Sequence, residues 1–344
     1  MYSAVVVLTS VLLMSRIGAN GDPVPQEALR AAAERGLHLV VQTSPTFIKK
    51  GGCNSCHSQA LPAAAQAFAR SRGLLAGEPI AQLPDDVSEA TLERYLEYSV
   101  PGGANVAFLG YDLFAKALAR TPADTRIQAQ IRYVKTQQQS EGYWGGGGRA
   151  LVGGGQPGGS RAASGRPPLT YDDFTPTAYM IHALARFAPA ADAADTQARI
   201  GRARSWLLAT KAERTQERAF KLLGLKWSNA APAAIVAAQH ALAALQREDG
   251  GWSQLPTLPS DAYVTGIALF ALYEAGVPVE ARVYQAGLRY LLSTQAADGT
   301  WHVKSRSLAF QPYFESGYPY GRDQWMSAAG AAYATLAIAA AVQP

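Results

Sequence analysis

Apolar residues, alanine above all, recur along this chain in helical stretches separated by short polar turns, and the pattern predicts helices from end to end. Two kinds of helix are expected. Segments beginning at Gln59, Ala107, Asp173, Asp261 and Asp323 are rich in Ala, Gly, Leu and aromatics, the composition of helices surrounded by protein, and a sixth from Thr215 is shorter and more degenerate. Partner segments near 27–42, 87–98, 126–138, 194–210, 231–246 and 282–294 carry the Arg and Glu and are expected to face water. Six such pairs predict an all-α chain folded as a single α6/α6 toroid, a barrel of six helical hairpins with small-residue helices crowding the axis. An open solenoid needs polar caps at both ends, whereas this chain closes on "AAYATLAIAAAV", apolar to its last turn. That end favours closure of the ring.

A repeat supports the pairing. In "YVKTQQQSEGYW", "LAALQREDGGW" and "YLLSTQAADGTW" a Gln ending one helix is followed by Gly four residues later and Trp two after that: Gln138, Gly142, Trp144; Gln246, Gly250, Trp252; Gln295, Gly299, Trp301. Gly supplies the tight turn, Gln is suited to orphan backbone groups at a helix end, and Trp covers the joint between hairpins. Three of the following helices start with Asp and carry Thr or Ser four residues on, at Thr177, Thr265 and Ser327. Asp173, Asp261 and Asp323 are therefore expected at helix starts on one mouth of the barrel. They are helix caps on one reading and candidate catalytic acids on the other.

The Gln-Gly-Trp spacing resembles the QW motif of the terpenoid cyclase and protein prenyltransferase superfamily, in particular bacterial squalene-cyclase-like domains, over nearly all of 27–342. The resemblance implies the toroid and an apolar small molecule in its cavity. It does not extend to the chemistry. Squalene-hopene-type cyclases protonate an alkene with an Asp-x-Asp-Asp segment followed by Thr-Ala. Here "DFTPTA" stands in that place, with Asp173 at the first acid and Thr175 and Pro176 where the donor and its partner belong. Sliding the frame back sets Asp172 and Asp173 at the last two positions but loses the helix alignment. The prenyltransferase zinc site is not matched either, because both cysteines lie together in the first repeat.

Composition adds three constraints. The formal charge of +5 comes from arginines scattered along the chain, with no run of like charge and no nucleic-acid module, so a nucleic-acid partner is not expected. The apolar run "AVVVLTSVLLM" at 4–14 is too short to span a bilayer and precedes small residues and a Pro-containing spacer. It is expected to be a signal peptide over 1–19, cleaved near Ala19, leaving a toroid over 20–344 with no integral membrane span. Residues 142–168 hold "GGGGRALVGGGQPGGSRAASGRPP" and are expected as a flexible rim loop.

The remaining feature is "KKGGCNSCHSQALP" at 49–62, expected as a loop before the first inner helix. It contains both cysteines of the chain as Cys53-x-x-Cys56-His57. That spacing is the attachment signature of haem c: two thioethers to the porphyrin and the next histidine as axial iron ligand. A disulfide, half of a zinc site, and coincidence are the competing readings; zinc lacks two further ligands at suitable spacing. Ring closure should bring the last loop beside this segment, with His302 as candidate distal ligand unless the iron is five-coordinate. That loop also brings Phe310, Tyr313, Phe314, Tyr318 and Tyr320 as aromatic neighbours. His38, Met180, His182, His240 and Met326 compete with His302 but fall on helical faces. Three functions follow. The first is an exported, periplasmic, haem-bearing toroid that transfers electrons, with a redox partner protein, or acts on a cavity-bound ligand. The second is an isoprenoid cyclase- or transferase-like enzyme with a structural Cys53–Cys56 bridge, and the third is a non-catalytic binding toroid.

Overall fold

The computed structural model describes residues 22–52, 55–74, 79–80, 106–145, 172–306 and 312–343. Eleven α-helices run through them: α1 (Gln26–Gly51), α2 (Leu61–Ser71), α3 (Val106–Leu118), α4 (Thr125–Thr136), α5 (Phe174–Phe187), α6 (Ala193–Ala209), α7 (Thr215–Trp227), α8 (Pro232–Ala243), α9 (Ala262–Glu274), α10 (Arg282–Thr294) and α11 (Gln324–Ala341). A π-helical turn, Cys56–Ala60, leads directly into α2. Among the described residues the only sheet-like pairing is an isolated bridge between Ser253 and Ser260.

The small-residue helices form the inner ring. In order α2, α3, α5, α7, α9 and α11 each pack on the next, and α11 returns onto α2. The predicted closure is therefore observed. All eleven residues from Ala262 to Leu272 of α9 are buried, and so is every residue of α11 except Trp325, which is why these two helices carry no amphipathic stripe. Helices α1, α4, α6, α8 and α10 lie outside; the sixth predicted outer helix, near 87–98, and most of the Gly-rich 142–168 segment lie outside the described residues, as do 1–21.

The repeat motif explains how hairpins join. Each motif Gln donates from its side-chain amide twice: to the carbonyl of its own motif Gly, and to a carbonyl of the next outer helix. Gln138 reaches Gly142 O (2.8 Å) and Arg199 O (2.9 Å), Gln246 reaches Gly250 O and Val283 O (both 2.8 Å), and Gln295 reaches Gly299 O (3.0 Å) and Ala32 O (2.9 Å). Each Trp is buried and donates its indole N–H to the carbonyl ten residues earlier, at Val134, Leu242 and Leu291. The motif glycines sit at φ of 104°, 85° and 86°, as a tight turn requires. The Thr or Ser four residues into the next inner helix completes the joint. Thr177 and Thr265 accept the backbone N–H of Trp144 and Trp252, and Ser327 accepts that of Val303, shifted by the longer last loop.

The third motif is also the seam, because Ala32 belongs to α1. Arg72, just after α2, donates to Val342 O (2.7 and 3.1 Å) and Ala340 O (3.2 Å), and Gln26 donates to Ala341 O (3.1 Å). These are carbonyls that the end of α11 cannot satisfy within the helix.

One expectation needs correction. The first outer helix does not end near 42 but continues to Gly51, through Pro45. A proline removes one helical hydrogen bond, and "QTSPT" reads as a stop; burial of Val40, Ser44 and Phe47 on the inner side carries the helix on. It ends at Gly52, which is left-handed (φ 64°) and donates its N–H to Ile48 O (2.8 Å). The segment expected as loop over 49–62 is thus helical up to Gly51 and again from Cys56.

Candidate functional site

Hydrogen bonds between the starts of α5, α7 and α9 show that these inner helices point the same way and share one mouth. Asp172, just ahead of α5, accepts at Oδ2 from Thr175 Oγ1 (3.0 Å) and from Gln216 Nε2 (2.9 Å) of α7. Gln216 Oε1 in turn accepts from Tyr263 OH (3.1 Å) of α9. A second acid follows the same pattern: Asp261 caps α9, accepting Val264 N–H at Oδ1 (2.9 Å) and Gln254 Nε2 at Oδ2 (2.6 Å), and Arg306 Nε donates to Gln254 Oε1 (3.1 Å). Arg306 and Asp261 attract each other as well.

Below this mouth lies a floor of four fully buried tyrosines, one each from α3, α5, α9 and α11: Tyr111, Tyr179, Tyr263 and Tyr333. The hydroxyls of Tyr179 and Tyr333 bond across the ring at 2.7 Å. Tyr333 also bonds Tyr111 and receives the Tyr263 ring edge to face at 5.3 Å. Burial holds all four phenols well above their ordinary value, so they remain neutral donors; the Cys56 thiol is close enough to act on each.

Cys56 and His57 open the turn that precedes α2. Cys53 lies outside the described residues. His57 is buried, with Phe47 at its edge (5.1 Å) and Trp325 stacked on its face (5.8 Å, 18° between planes). Its Nδ1 shares hydrogen bonds with Ser58 Oγ (2.9 Å) and Ser55 Oγ (3.3 Å). The direction of the second bond is fixed by what surrounds it. Gln59 donates its side-chain amide to Ser44 O (3.3 Å) and Ser44 Oγ (3.2 Å), which turns Oε1 towards Ser55. The Ser55 hydroxyl spends its one proton on that Oε1 (2.9 Å) and accepts the Ser58 N–H (3.0 Å). It therefore faces His57 as an acceptor, while the nearer Ser58 hydroxyl is able to donate or accept; together the two bonds anchor the imidazole through Nδ1.

The last loop comes to this site as expected from closure. Phe314 packs on Phe47 (5.2 Å) and Trp325 (5.6 Å), and Lys50 at the end of α1 holds Glu315 O (2.6 Å). Tyr320 stacks on His302 (4.7 Å), and Tyr313 is exposed. His302 is itself exposed, with Nε2 bonded to Asp323 Oδ2 at 2.7 Å. Asp323 Oδ1 takes the Ser305 N–H (2.8 Å), so this acid organises the loop. Of the other candidate ligands, Met180 and Met326 are core residues, and His38 pairs with Gln42 along α1. His182 packs against Trp227 and is pushed down to about 4, mainly by burial. Among the described residues no group of three His, Cys, Asp or Glu side chains is arranged to hold a metal ion.

Asp173 occupies the N-cap position of α5, but the capping bonds come from its neighbour Asp172, to Thr175. Sequence reasoning gave Asp173 that place. The missed signal was the Asp-x-x-Thr spacing from 172 to 175. Asp172 and Asp261 are each raised to about 6, chiefly by burial and against their hydrogen bonds. Unfolded Asp titrates near ~3.9, so between those values the folded chain holds protons that the unfolded chain has lost. Stability from each group is greatest below pH ~4 and falls as pH rises through about 6, by roughly 1–3 kcal/mol. Asp172→Asn should therefore gain on wild type by about that amount between pH 4 and 7 in urea unfolding. A difference independent of pH would contradict the assignment.

Fold and site together define an α/α toroid with a phenolic floor, two half-buried acids at the mouth and a turn opened by Cys56 and His57 at the seam. No family model and no curated protein matches the chain. Among solved structures it is similar to a possible member of the GH105 family from Salmonella enterica subsp. enterica serovar Paratyphi A, at 13% identity and TM-score 0.47, over 94% of this chain and 96% of that one. It is also similar to the type II terpene cyclase MstE from Scytonema, at 12% identity and TM-score 0.35, over 93% and 99%. The ring itself is defined by its helix packing, with α11 closing onto α2.

Proposed function

We propose that the chain is an exported, periplasmic redox toroid carrying one covalent haem c at its seam, attached through Cys53 and Cys56 and ligated by His57. The observation that carries this reading is the anchoring of the buried His57 ring through Nδ1. A ring anchored at Nδ1 by hydroxyls that Gln59 and Ser44 in turn hold is the outer-shell arrangement that a metal-ligating histidine takes. The donor set suits the group: the sequence supplies two thiols and an imidazole at haem-attachment spacing, and Phe47, Phe314 and Trp325 wall the imidazole from water.

When bound, haem supplies a one-electron couple. The chain's own residues do the rest. Ser44, Gln59 and Ser55 orient His57; the four tyrosines offer ring faces and neutral hydroxyls to an apolar ligand; Asp172 holds or releases a proton at Oδ2 near neutral pH. His302 Nε2 is engaged by Asp323, so His302 would not be the residue that holds the iron from the other side. The leader over 1–19 belongs to this proposal, since export supplies the compartment in which the haem is attached. No helix among the described residues is long and apolar enough to cross a membrane.

A second reading has its own observation. The raised acids Asp172 and Asp261 above a tyrosine floor also suit acid–base work on an isoprenoid, with the cysteines as a structural bridge. Spectroscopy separates the two. Protein co-expressed with haem-maturation machinery should be red, with a Soret band that survives acid–acetone extraction and a spectrum unchanged by His302→Ala. Colourless protein with its thiols locked together would overturn the haem reading in favour of the second.

A further inference from the structure

We infer that Trp325 is a cofactor-positioning residue, whose indole N–H binds a carboxylate at the porphyrin edge. The inference rests on the haem reading above. Trp325 is the second residue of α11 and the one residue of that helix that is not buried in the ring core. Its ring lies against His57 and contacts Phe47 (6.3 Å) and Phe314 (5.6 Å). Its Nε1 is nevertheless shut off from solvent and meets no acceptor.

Elsewhere the protein does not leave indoles in this state. Trp144, Trp252 and Trp301 each donate to a carbonyl, and Trp227 donates to Glu274 Oε2 at 2.9 Å. An orphaned buried donor costs about 1–3 kcal/mol. Such a donor beside an oriented axial histidine is explained if its acceptor arrives with the cofactor. The partner cannot be the iron, because an N–H does not ligate a metal, and the strongest acceptors a haem brings are the oxygens of its two carboxylates.

The test uses the matured holoprotein. Trp325→Phe keeps the ring stacked on His57 and removes only the N–H. It should retain covalent haem but show a lower reduction potential than wild type, because an unneutralised carboxylate beside the iron favours the ferric form. The pH at which the potential changes slope should move up, as that carboxylate becomes a weaker acid. Trp325→His, which keeps a ring N–H, should recover part of both shifts. Should either variant fail to fold, the ultraviolet Raman band that reports indole hydrogen bonding decides on wild type alone: it should shift between apo- and holoprotein. A wild-type potential in Trp325→Phe at every pH, or an unchanged indole band, overturns the inference while leaving the haem reading intact. Wild-type protein without haem overturns both, and the mass of that sample tells the two failures apart.

Discussion

Replacing Gly299 with alanine is expected to lower the unfolding free energy by roughly 3–5 kcal/mol, a large part of what holds a domain together. Two costs add. At φ 86° an L-residue pays roughly 1–2 kcal/mol for the left-handed conformation. A Cβ there would also lie 2.4 Å from Arg35 O and 2.7 Å from its carbonyl carbon, backbone atoms of α1 that cannot rotate away. The turn would have to withdraw from α1, taking with it the Gln295 bond to Ala32 O that ties the last hairpin to the first. Gly276 is the control. Its φ is 93°, but nothing lies within 4 Å of the position a Cβ would take, so Gly276→Ala should cost only the conformational share, about 1 kcal/mol. Urea midpoints compare the pair directly. Equal losses would mean that close approach at the seam contributes nothing.

The second large effect is expected at the histidine. In matured protein, His57→Ala should keep its thioethers but lose the axial ligand, with a displaced Soret band and weaker retention of iron in the reduced state. The network around His57 makes a finer prediction. Gln59→Leu removes the group that holds the Ser55 hydroxyl and ties the turn to Ser44, so the imidazole should lose part of its anchoring at Nδ1. Its spectrum should move part of the way towards that of His57→Ala. Gln59→Glu keeps an acceptor for Ser55 but loses the donation to Ser44 O, so its spectrum should lie between those of wild type and Gln59→Leu. A wild-type spectrum in Gln59→Leu would contradict the orienting role.

The ring was legible because its signals are local and repeated. The Gln-Gly-Trp spacing, the Asp with Thr or Ser four residues on, and the all-apolar final helix each report the packing of one joint, and the six inner helices lie where composition put them. What escaped was non-local or a matter of one residue. Pro45 reads as a helix stop because the burial that carries α1 past it comes from α2 and α11. Asp172 rather than Asp173 makes the capping bonds, a choice decided by the phase of the first turn of α5. The tyrosine floor draws one residue from each of four distant helices, and nothing within any single helix marks Tyr111, Tyr179, Tyr263 and Tyr333 as neighbours. Gln59 acquires meaning only when α1 packs on the turn opened by Cys56, and Trp325 only when closure sets α11 beside it.

Haem at the seam is the claim on which the redox reading stands, and intact-mass analysis of protein exported through a haem-maturation pathway measures it most directly. The account predicts a mass greater by one haem, the addition mapping to the peptide that contains Cys53 and Cys56 and vanishing when both are changed to Ala. Matured protein whose mass equals that of the bare chain, or is two hydrogens less, would contradict it.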